Sequence, residues 1–268
     1  MDQSVPYTAQ SLAGDLRALG VAPGDVLLLH ASYRCLGFVV GGPQAVVLAL
    51  LDVLGPDGTL VVPTHTPDNT DPADWRNPPV PEAWWPVIRD QMPAFDPART
   101  PSRWMGRLAE TVRAWPGALR SDHPQVSFAA LGRRAPEIVC GHRLDDGLGE
   151  ESPLGAVNRL DGQVLLLGCG HDSNTSLHLA ERRQSSPPRT STGSAVRQPD
   201  GTSRWATWVE MATDEGDFER LGADFEAADG ASIGRVGAAP TRLMRQRALV
   251  DFATAWLAAN RQRADLRP

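Results

Sequence analysis

The pattern of hydrophobic and polar positions is most informative between residues 164 and 181. Four apolar residues in succession, Val164–Leu167, indicate a strand that is buried on both faces. A glycine-rich break follows, and the polar residues after it predict the start of a helix. The junction between such a strand and the following helix is a common ligand site, because free backbone N–H groups at the start of the helix point outward there. Thr175 and His178 are three residues apart and therefore share one face of the predicted helix.

Elsewhere the pattern predicts alternating helices and strands, which is typical of an α/β fold. We predict helices at Thr8–Leu19, Pro43–Leu54, Met105–Trp115 and Pro240–Arg261, and strands at Asp25–His30, Gly58–Pro63, Ser127–Leu131, Val164–Gly168 and Trp205–Met211. The succession of strand, helix and strand between residues 25 and 63 predicts a βαβ unit with two parallel strands.

Residues 64 to 102 differ in character from the rest of the chain. Proline is frequent there, and Trp75, Trp84 and Trp85 follow no clear period. The segment is too aromatic for a disordered linker, so we predict an ordered excursion over the sheet. We expect residues 1–268 to form a single domain that carries this excursion.

Composition and charge exclude several classes of protein. The chain has 268 residues, 41% of them hydrophobic, and a formal net charge of -6. Because it contains no lysine, it is neither a P-loop NTPase nor a Schiff-base enzyme. The negative charge disfavours nucleic acid as the main partner. An acidic cleft would attract a small cationic substrate, although a pI near 5.5 is also ordinary for a soluble protein.

The sequence indicates neither a membrane anchor nor a disulfide framework. No apolar stretch is long enough to span a membrane, and the first residues lack the basic start of a signal peptide, so we expect a cytoplasmic protein. Cys35, Cys140 and Cys169 lie far apart in the chain, which indicates reduced thiols. The histidines show no ligand pairing, so we expect no metal.

Several polar residues lie next to the predicted strands and helices. His30–Ser32 ends a buried strand, Arg120–Pro124 precedes another, Ser152 can cap a helix, and Glu210 lies in a strand-like segment. An acidic cluster follows at residues 214–219. Each of these features alone is more often structural than catalytic. Their convergence at the carboxyl ends of parallel strands favours function.

Two other motifs are set aside. Arg17–Ala22 matches the acetyl-CoA pyrophosphate loop of the common acetyltransferase fold, but that loop must follow a strand and open a helix. Here a predicted helix ends and a strand begins. Cys169 and His171 raise the idea of a thiol nucleophile with its base. Their spacing across one glycine does not direct one side chain at the other, and a small buried cysteine is the commoner case.

The motifs, in their order along the chain, resemble one known family. The stretch 168–181, the segments 95–101 and 120–124, the run Glu151-Ser152-Pro153-Leu154 and the tail 236–243 resemble the aminoglycoside 3-N-acetyltransferase (antibiotic N-acetyltransferase) family. The resemblance implies a layered α/β/α sandwich with a mostly parallel central sheet, distinct from the common GNAT acetyltransferase fold. It also implies transfer of an acetyl group from acetyl-CoA to the 3-N position of aminoglycoside antibiotics, which confers resistance.

The resemblance further implies roles for particular residues. His178 would be the general base, with Thr175 and Glu210 as further catalytic residues. For acetyl-CoA it implies Ser32, Arg103, Ser152 and Thr175, and for the cationic substrate we expect the carboxylates of Asp68, Asp71, Glu210 and Asp214.

These roles are chemically consistent. A protonated amine must lose a proton before it attacks a thioester, and a neutral imidazole with an ordinary pKa near ~6.5 is a suitable base. Glu210 would hold the tautomer of His178 or stabilise its imidazolium. Backbone N–H groups at residues 173–175, or the Thr175 hydroxyl, would stabilise the tetrahedral oxyanion.

Alternatives remain for the substrate and for the class of protein. The segment 64–94, where substrate would be held, is the part least like the resistance enzymes. The acceptor is therefore either an aminoglycoside or another amine, such as a biosynthetic intermediate. From a different class, the chain could be a non-catalytic protein that sequesters an antibiotic or a CoA ester. The presence of both His178 and Glu210 argues against this last interpretation. The sequence leaves open whether the protein forms a homodimer.

Overall fold

The computed structural model describes residues 5–264, with side chains as far as Arg261. The strands are β1 (Val26–Ala31), β2 (Thr59–Pro63), β3 (Leu119–Arg120), β4 (Phe128–Gly132), β5 (Gln163–Leu167), β6 (Arg189–Arg197), β7 (Ser203–Met211), β8 (Ser232–Val236) and β9 (Ala239–Arg245). The α-helices are α1 (Ala9–Leu19), α2 (Gly42–Leu54), α3 (Trp85–Gln91), α4 (Gly106–Arg113), α5 (Ala135–Val139), α6 (Pro153–Arg159), α7 (Ser176–Arg182), α8 (Phe218–Ala227) and α9 (Gln246–Ala264). No helix within this part of the chain has the length and apolar character needed to cross a membrane.

The central sheet has seven strands in the order β3-β4-β2-β1-β5-β9-β8. At its centre β2, β1 and β5 are parallel neighbours, whereas the outer pairs are antiparallel. As a result β3, β2, β1, β5 and β8 run in one direction, and β4 and β9 run in the other. Since five of the seven strands run in one direction, the expected mostly parallel sheet is confirmed. The antiparallel pairs at both edges make it a mixed sheet.

Apolar side chains on the two faces of the sheet form two separate cores. Successive strand residues point to opposite faces, so Leu27 and Leu29 contribute to one core and Leu28 to the other. Helices α1, α2 and α4 cover the first core, and α5 to α9 cover the second. The run Val164–Leu167 contributes alternately to both cores, as predicted for a strand that is buried on both faces. The layered α/β/α arrangement is therefore confirmed.

Local signals place the first elements close to their predicted positions. Helix α1 begins after Thr8, whose side chain accepts a hydrogen bond from the Ser11 N–H and completes a capping box. It ends at Gly20, where φ is +115° and a left-handed residue is needed. The segment Arg17–Ala22 thus ends a helix and precedes β1, in agreement with its rejection as a pyrophosphate loop.

The predicted helix over Pro240–Arg261 is wrong at its start. Residues Ala239–Arg245 form β9, which pairs with β5 on one side and β8 on the other, and α9 begins at Gln246. Hydrophobic periodicity in a short apolar segment does not separate strand from helix, and here pairing with the buried β5 decides the conformation.

A two-stranded hairpin of β6 and β7 lies outside the central sheet. Strand β7 confirms the predicted strand at Trp205–Met211. Its partner β6 carries a Ser/Thr-rich sequence that shows no hydrophobic alternation. Residues 64–102 contribute α3 and three short 3-10 helices (Pro67–Asn69, Pro72–Asp74 and Glu82–Trp84), and they contact this hairpin. The Phe95 N–H donates to the Ala195 carbonyl at 3.3 Å.

Candidate active site

The carboxyl ends of β1, β2 and β5 meet at one edge of the sheet, and a cavity of about 430 Å³ opens there. Its polar lining residues are His30, His65, Cys169, Asp172, Ser173, Thr175, His178, Thr213 and Glu215, and its apolar wall includes Leu29, Val62, Met105 and Leu108. Strand β5 leads into it through Gly168, which has φ +72°. A Cβ at this position would lie 2.6 Å from the Cβ of Cys35, so only glycine fits this turn.

His178 lies on α7 and forms a close pair with a carboxylate one turn later. Its Nδ1 is 2.6 Å from Oε2 of Glu181. Because an ionised carboxylate only accepts hydrogen bonds, Nδ1 carries the proton in the neutral form of the ring, and Nε2 then has a free lone pair. The imidazole packs on Phe218, with ring centroids 5.0 Å apart. The side chain of His178 is 13% exposed, which makes it accessible from the cavity and otherwise enclosed.

The carboxylate of Glu181 is fixed from a distant part of the chain. It is almost fully buried, and its second oxygen accepts hydrogen bonds from Arg261 on α9 and from the backbone N–H of Asp214 at 3.2 Å. Burial opposes the charge of Arg261, yet hydrogen bonds to Asp217 and Glu181 raise the pKa of this guanidinium above its ordinary value. The cation therefore stays charged, and the buried carboxylate beside His178 has a permanent counter-ion.

Two further histidines line the same cavity in their neutral form. His30 Nε2 lies 3.3 Å from the Thr175 hydroxyl oxygen. Burial, and next the proximity of His178, lowers the pKa of His30 to about 3. Burial and the same neighbour also lower the pKa of His65 to about 3, and its buried Nε2 has no hydrogen-bond partner among the described residues. Of the histidines in this cavity wall, His178 is thus the one that has a carboxylate partner.

Buried neutral histidines make the protein sensitive to acid. Burial is the largest cause of the lowered pKa values of His30, His65 and His123, each about 3, and of His142, about 4. The unfolded chain takes up protons on these rings near pH ~6.5, whereas the folded protein does not. The contribution of these histidines to the free energy of unfolding is therefore fully present above that pH, and it is lost as the pH falls toward the pKa values of the folded protein. Each histidine is expected to lower the free energy of unfolding by up to ~1.4 kcal/mol per pH unit in this window.

Urea unfolding at pH 7.5 and pH 5.5 measures this effect, since carboxylates with ordinary pKa values stay ionised at both. We expect the urea concentration at the unfolding midpoint to be clearly lower at pH 5.5 than at pH 7.5. The variant His142→Gln removes one titrating ring and should show a smaller fall. Equal midpoints at the two pH values would contradict the prediction.

Cys169 lines the cavity as a neutral thiol. Burial is the main reason why its pKa is raised to about 12. A thiol with this pKa is protonated at neutral pH and is a poor nucleophile. The structure thus agrees with the rejection of Cys169 as a nucleophile.

Glu210 does not make the contact with His178 that we expected. It lies on β7 outside the cavity, with Oε2 3.5 Å from Nη2 of Arg182. Burial raises the pKa of Glu210, and Arg182 opposes this shift. The expected contact is formed by Glu181 instead, because Glu181 is one helical turn from His178, whereas β7 belongs to a separate hairpin.

Two of the three aspartates expected to bind substrate pair with arginines. Asp68 forms an ion pair with Arg103, and Asp71 accepts two hydrogen bonds from Arg89 at 2.7 Å and 3.1 Å. These contacts neutralise both carboxylates locally. Arg103 is one of the four residues expected to contact acetyl-CoA. It is paired with Asp68, which we expected to contact the acceptor.

The remaining predicted residues lie at the ends of helices and strands. Ser152 caps α6: its buried hydroxyl accepts from the Leu154 N–H and donates to the Gly149 carbonyl. Ser32 follows β1, and its N–H donates to the Leu167 carbonyl at 2.9 Å. Asp214 is exposed, and its contact with the site is the backbone bond to Glu181.

Two carboxylates at the site, Glu181 and Asp172, were not singled out from the sequence, and Glu215 was considered only as part of the acidic cluster at residues 214–219. Glu181 had a local signal, since a carboxylate three residues after a helical histidine lies on the same face. Asp172 and Glu215 are exposed side chains in the lining of the cavity. Asp172 lies in the turn between β5 and α7, and Glu215 lies in the acidic cluster after β7.

The fold and the site together define an α/β protein that holds a histidine–carboxylate pair at the ends of its central parallel strands. A sequence model described as aminoglycoside 3-N-acetyltransferase matches residues 28–258. The chain therefore belongs to the aminoglycoside 3-N-acetyltransferase family, a family of acyltransferases.

Known proteins resemble the chain over nearly its whole length. The aminoglycoside N(3')-acetyltransferase-like protein YokD of Bacillus subtilis is 41% identical over 256 residues, which are 95% of this chain and 94% of that protein. Its crystal structure superimposes with a TM-score of 0.95 and covers 97% of this chain and 96% of that one. The binary complex of AAC-IIIb with CoASH matches with a TM-score of 0.84 at 33% identity, over 95% of this chain and 97% of that one. AAC-VIa bound to sisomicin has a TM-score of 0.84 at 28% identity, over 95% and 98% of the two chains.

Proposed function

We propose that this protein transfers the acetyl group of acetyl-CoA to an amino group of an aminoglycoside, with His178 as the general base. The observation that carries the proposal is the pair of His178 and Glu181 in the wall of a cavity at the ends of the central strands. The solved relatives with CoASH and with sisomicin support the two ligands that it requires.

In the proposed reaction the acceptor ammonium gives a proton to Nε2 of His178, and the free amine attacks the thioester carbon. A C–N bond forms, and the carbonyl electron pair moves to the oxygen. When this tetrahedral species collapses, the C–S bond breaks and its electron pair goes to sulfur. The imidazolium then returns its proton to the sulfur, and CoA leaves as its thiol. The attacking nitrogen loses its second proton to solvent, which leaves the neutral amide. Glu181 accepts the Nδ1–H throughout and stabilises the imidazolium.

The proposal assigns the oxyanion to the Thr175 hydroxyl. The backbone N–H groups of Ser173 and Asn174 already donate to carbonyls within the turn before α7. Thr175 lines the cavity three residues before His178, so its hydroxyl is on the same side as the base. A single preorganised donor of this kind contributes about 10²–10³-fold to the rate of acyl transfer.

Ammonium groups of the acceptor would be held by Asp172 and Glu215. Both carboxylates are exposed in the lining of the cavity, and neither has an ion pair among the described residues. Asp68, Asp71 and Glu210 are less suited to this role, because arginines already pair with them.

This distribution of charge favours a second candidate function. Three of the carboxylates expected to bind a polycation are neutralised by arginine. The carboxylates of Asp172 and Glu215 would suit an amine with fewer positive charges equally well. The second candidate is therefore the same acetyl transfer to a less highly charged amine.

Release of the CoA thiol from acetyl-CoA, with and without aminoglycosides such as sisomicin and gentamicin, tests the proposal. We expect release that requires an aminoglycoside. If protein that binds acetyl-CoA shows no release with any aminoglycoside, the second candidate replaces the first. If it binds acetyl-CoA and no amine supports turnover, the chain is a binding protein. Absence of acetyl-CoA binding would contradict both acetyl-transfer functions.

A further inference from the structure

A second cavity of about 460 Å³ adjoins the candidate active site. Its walls are formed by the excursion after β2 and by the segment before α4. The lining residues are Pro67, Asp68, Thr70, Asp74, Trp75, Arg76, Asn77, Pro78, Val80, Arg103 and Trp104. Two indole rings, two proline side chains and one valine side chain supply its apolar surface, which is the usual lining of a small-molecule site.

Trp104 belongs to the walls of both cavities. The residue is 69% exposed, which is unusual for a large aromatic residue. The guanidinium of Arg103 lies 4.7 Å from the centroid of the indole ring, and Arg103 is itself held by Asp68. One face of the indole thus has a fixed support, and the high exposure leaves indole surface for a ligand.

The backbone of Trp104 is strained. Its φ of +64° lies in the left-handed region, which few residues other than glycine adopt. Such a conformation costs free energy and persists where the surrounding structure imposes it. Here the Arg103 N–H donates to the His65 carbonyl at 3.0 Å, and Gly106 with φ +83° begins α4. In this backbone conformation the indole lies in the wall that the two cavities share.

The charges of the second cavity indicate which substrate enters it. The nucleotide part of CoA carries several negative charges, so its site needs cationic or N–H donors in excess. In this cavity Asp68 neutralises Arg103, and Asp74 offsets Arg76. With no excess of positive charge, the cavity suits a neutral or cationic ring better than a phosphate group.

We propose that Trp104 determines acceptor specificity by stacking on a ring of the acceptor whose amine is acetylated, while a further ring enters the cavity between Trp104 and Trp75. This inference rests on the proposed acetyl transfer and defines its substrate class as amines with two or more rings. Trp75 is positioned for this role, because its Nε1–H donates to the Thr70 hydroxyl at 3.1 Å.

The test compares Trp104→Ala with the wild type on acceptors of different size. Sisomicin is the acceptor with several rings, and 2-deoxystreptamine is the single aminocyclitol ring. We expect the variant to raise KM for sisomicin by about 5- to 10-fold and to leave KM for acetyl-CoA unchanged. KM for 2-deoxystreptamine should change much less, and Trp104→Phe should retain part of the preference. The control is Trp84→Ala, since Trp84 is exposed and lies outside both cavities.

Calorimetric binding of sisomicin separates failure of this inference from failure of the proposed function. Binding that weakens in Trp104→Ala supports the inference even if no acetyl transfer occurs. An increase in KM for acetyl-CoA would overturn it and assign the second cavity to CoA. Equal effects on the two acceptors, no effect on either, or no binding of sisomicin by the wild type would also overturn it.

Discussion

Replacement of His178 by alanine is expected to lower kcat for acetyl transfer by about 10²–10⁴-fold, the usual contribution of a general base. The reason is that Nε2 of His178 carries the free lone pair, because Nδ1 donates to Glu181. His30 and His65 cannot replace it, since burial lowers the pKa of each to about 3 and leaves them weak bases. Steady-state thiol release at saturating acetyl-CoA and amine measures the effect.

A second variant distinguishes loss of the base from loss of structure. Alanine leaves one oxygen of the buried Glu181 without its partner, at a cost of about 1–3 kcal/mol. His178→Gln keeps an N–H donor at this position and has no basic nitrogen, so it should be equally inactive and more stable. Affinity for acetyl-CoA, measured by calorimetry, should be similar in both variants. Full turnover in either folded variant would remove His178 as the base.

The central part of the fold could be predicted because its signals are local. The run Val164–Leu167, the glycine after it and the spacing of Thr175 and His178 all lie within one stretch of the chain. They correctly predicted β5, the following turn and α7. The same reasoning failed at Ala239–Arg245, where pairing with β5 and β8 decides the conformation.

The parts of the site that depend on distant contacts could not be predicted. Arg261 fixes the carboxylate of Glu181 from 80 positions away in the chain, and Asp68 and Arg103 are 35 positions apart. No sequence spacing indicates such pairs. Glu210 illustrates the same limit, because its position depends on how the β6–β7 hairpin packs. A carboxylate in a strand-like segment could be assigned to the site only by the resemblance.

The expected effect of Glu181→Gln is a fall in kcat of about 10²–10⁴-fold with little change in KM for acetyl-CoA. The amide has the shape of the carboxylate and keeps an oxygen for Arg261, but it loses the charge that stabilises the imidazolium. It can also donate to Nδ1, which would favour the unproductive tautomer with the proton on Nε2. Glu181→Asp should retain part of the activity, since it restores the charge at a longer distance. Kinetics of thiol release on the two variants measure these effects.

Glu210→Gln is the matched control, because Glu210 is also a largely enclosed carboxylate with an arginine partner, although it is less buried than Glu181. Since it makes no contact with His178, we expect its effect on kcat to stay below about 10-fold. A spectroscopic measurement separates positioning from folding. The Nδ1 proton of His178 in its 2.6 Å bond to Glu181 should give a downfield proton resonance. That resonance should persist in Glu210→Gln and disappear in Glu181→Gln. If Glu210→Gln were instead the slower enzyme, the pairing of His178 with Glu181 would not be the one used in catalysis.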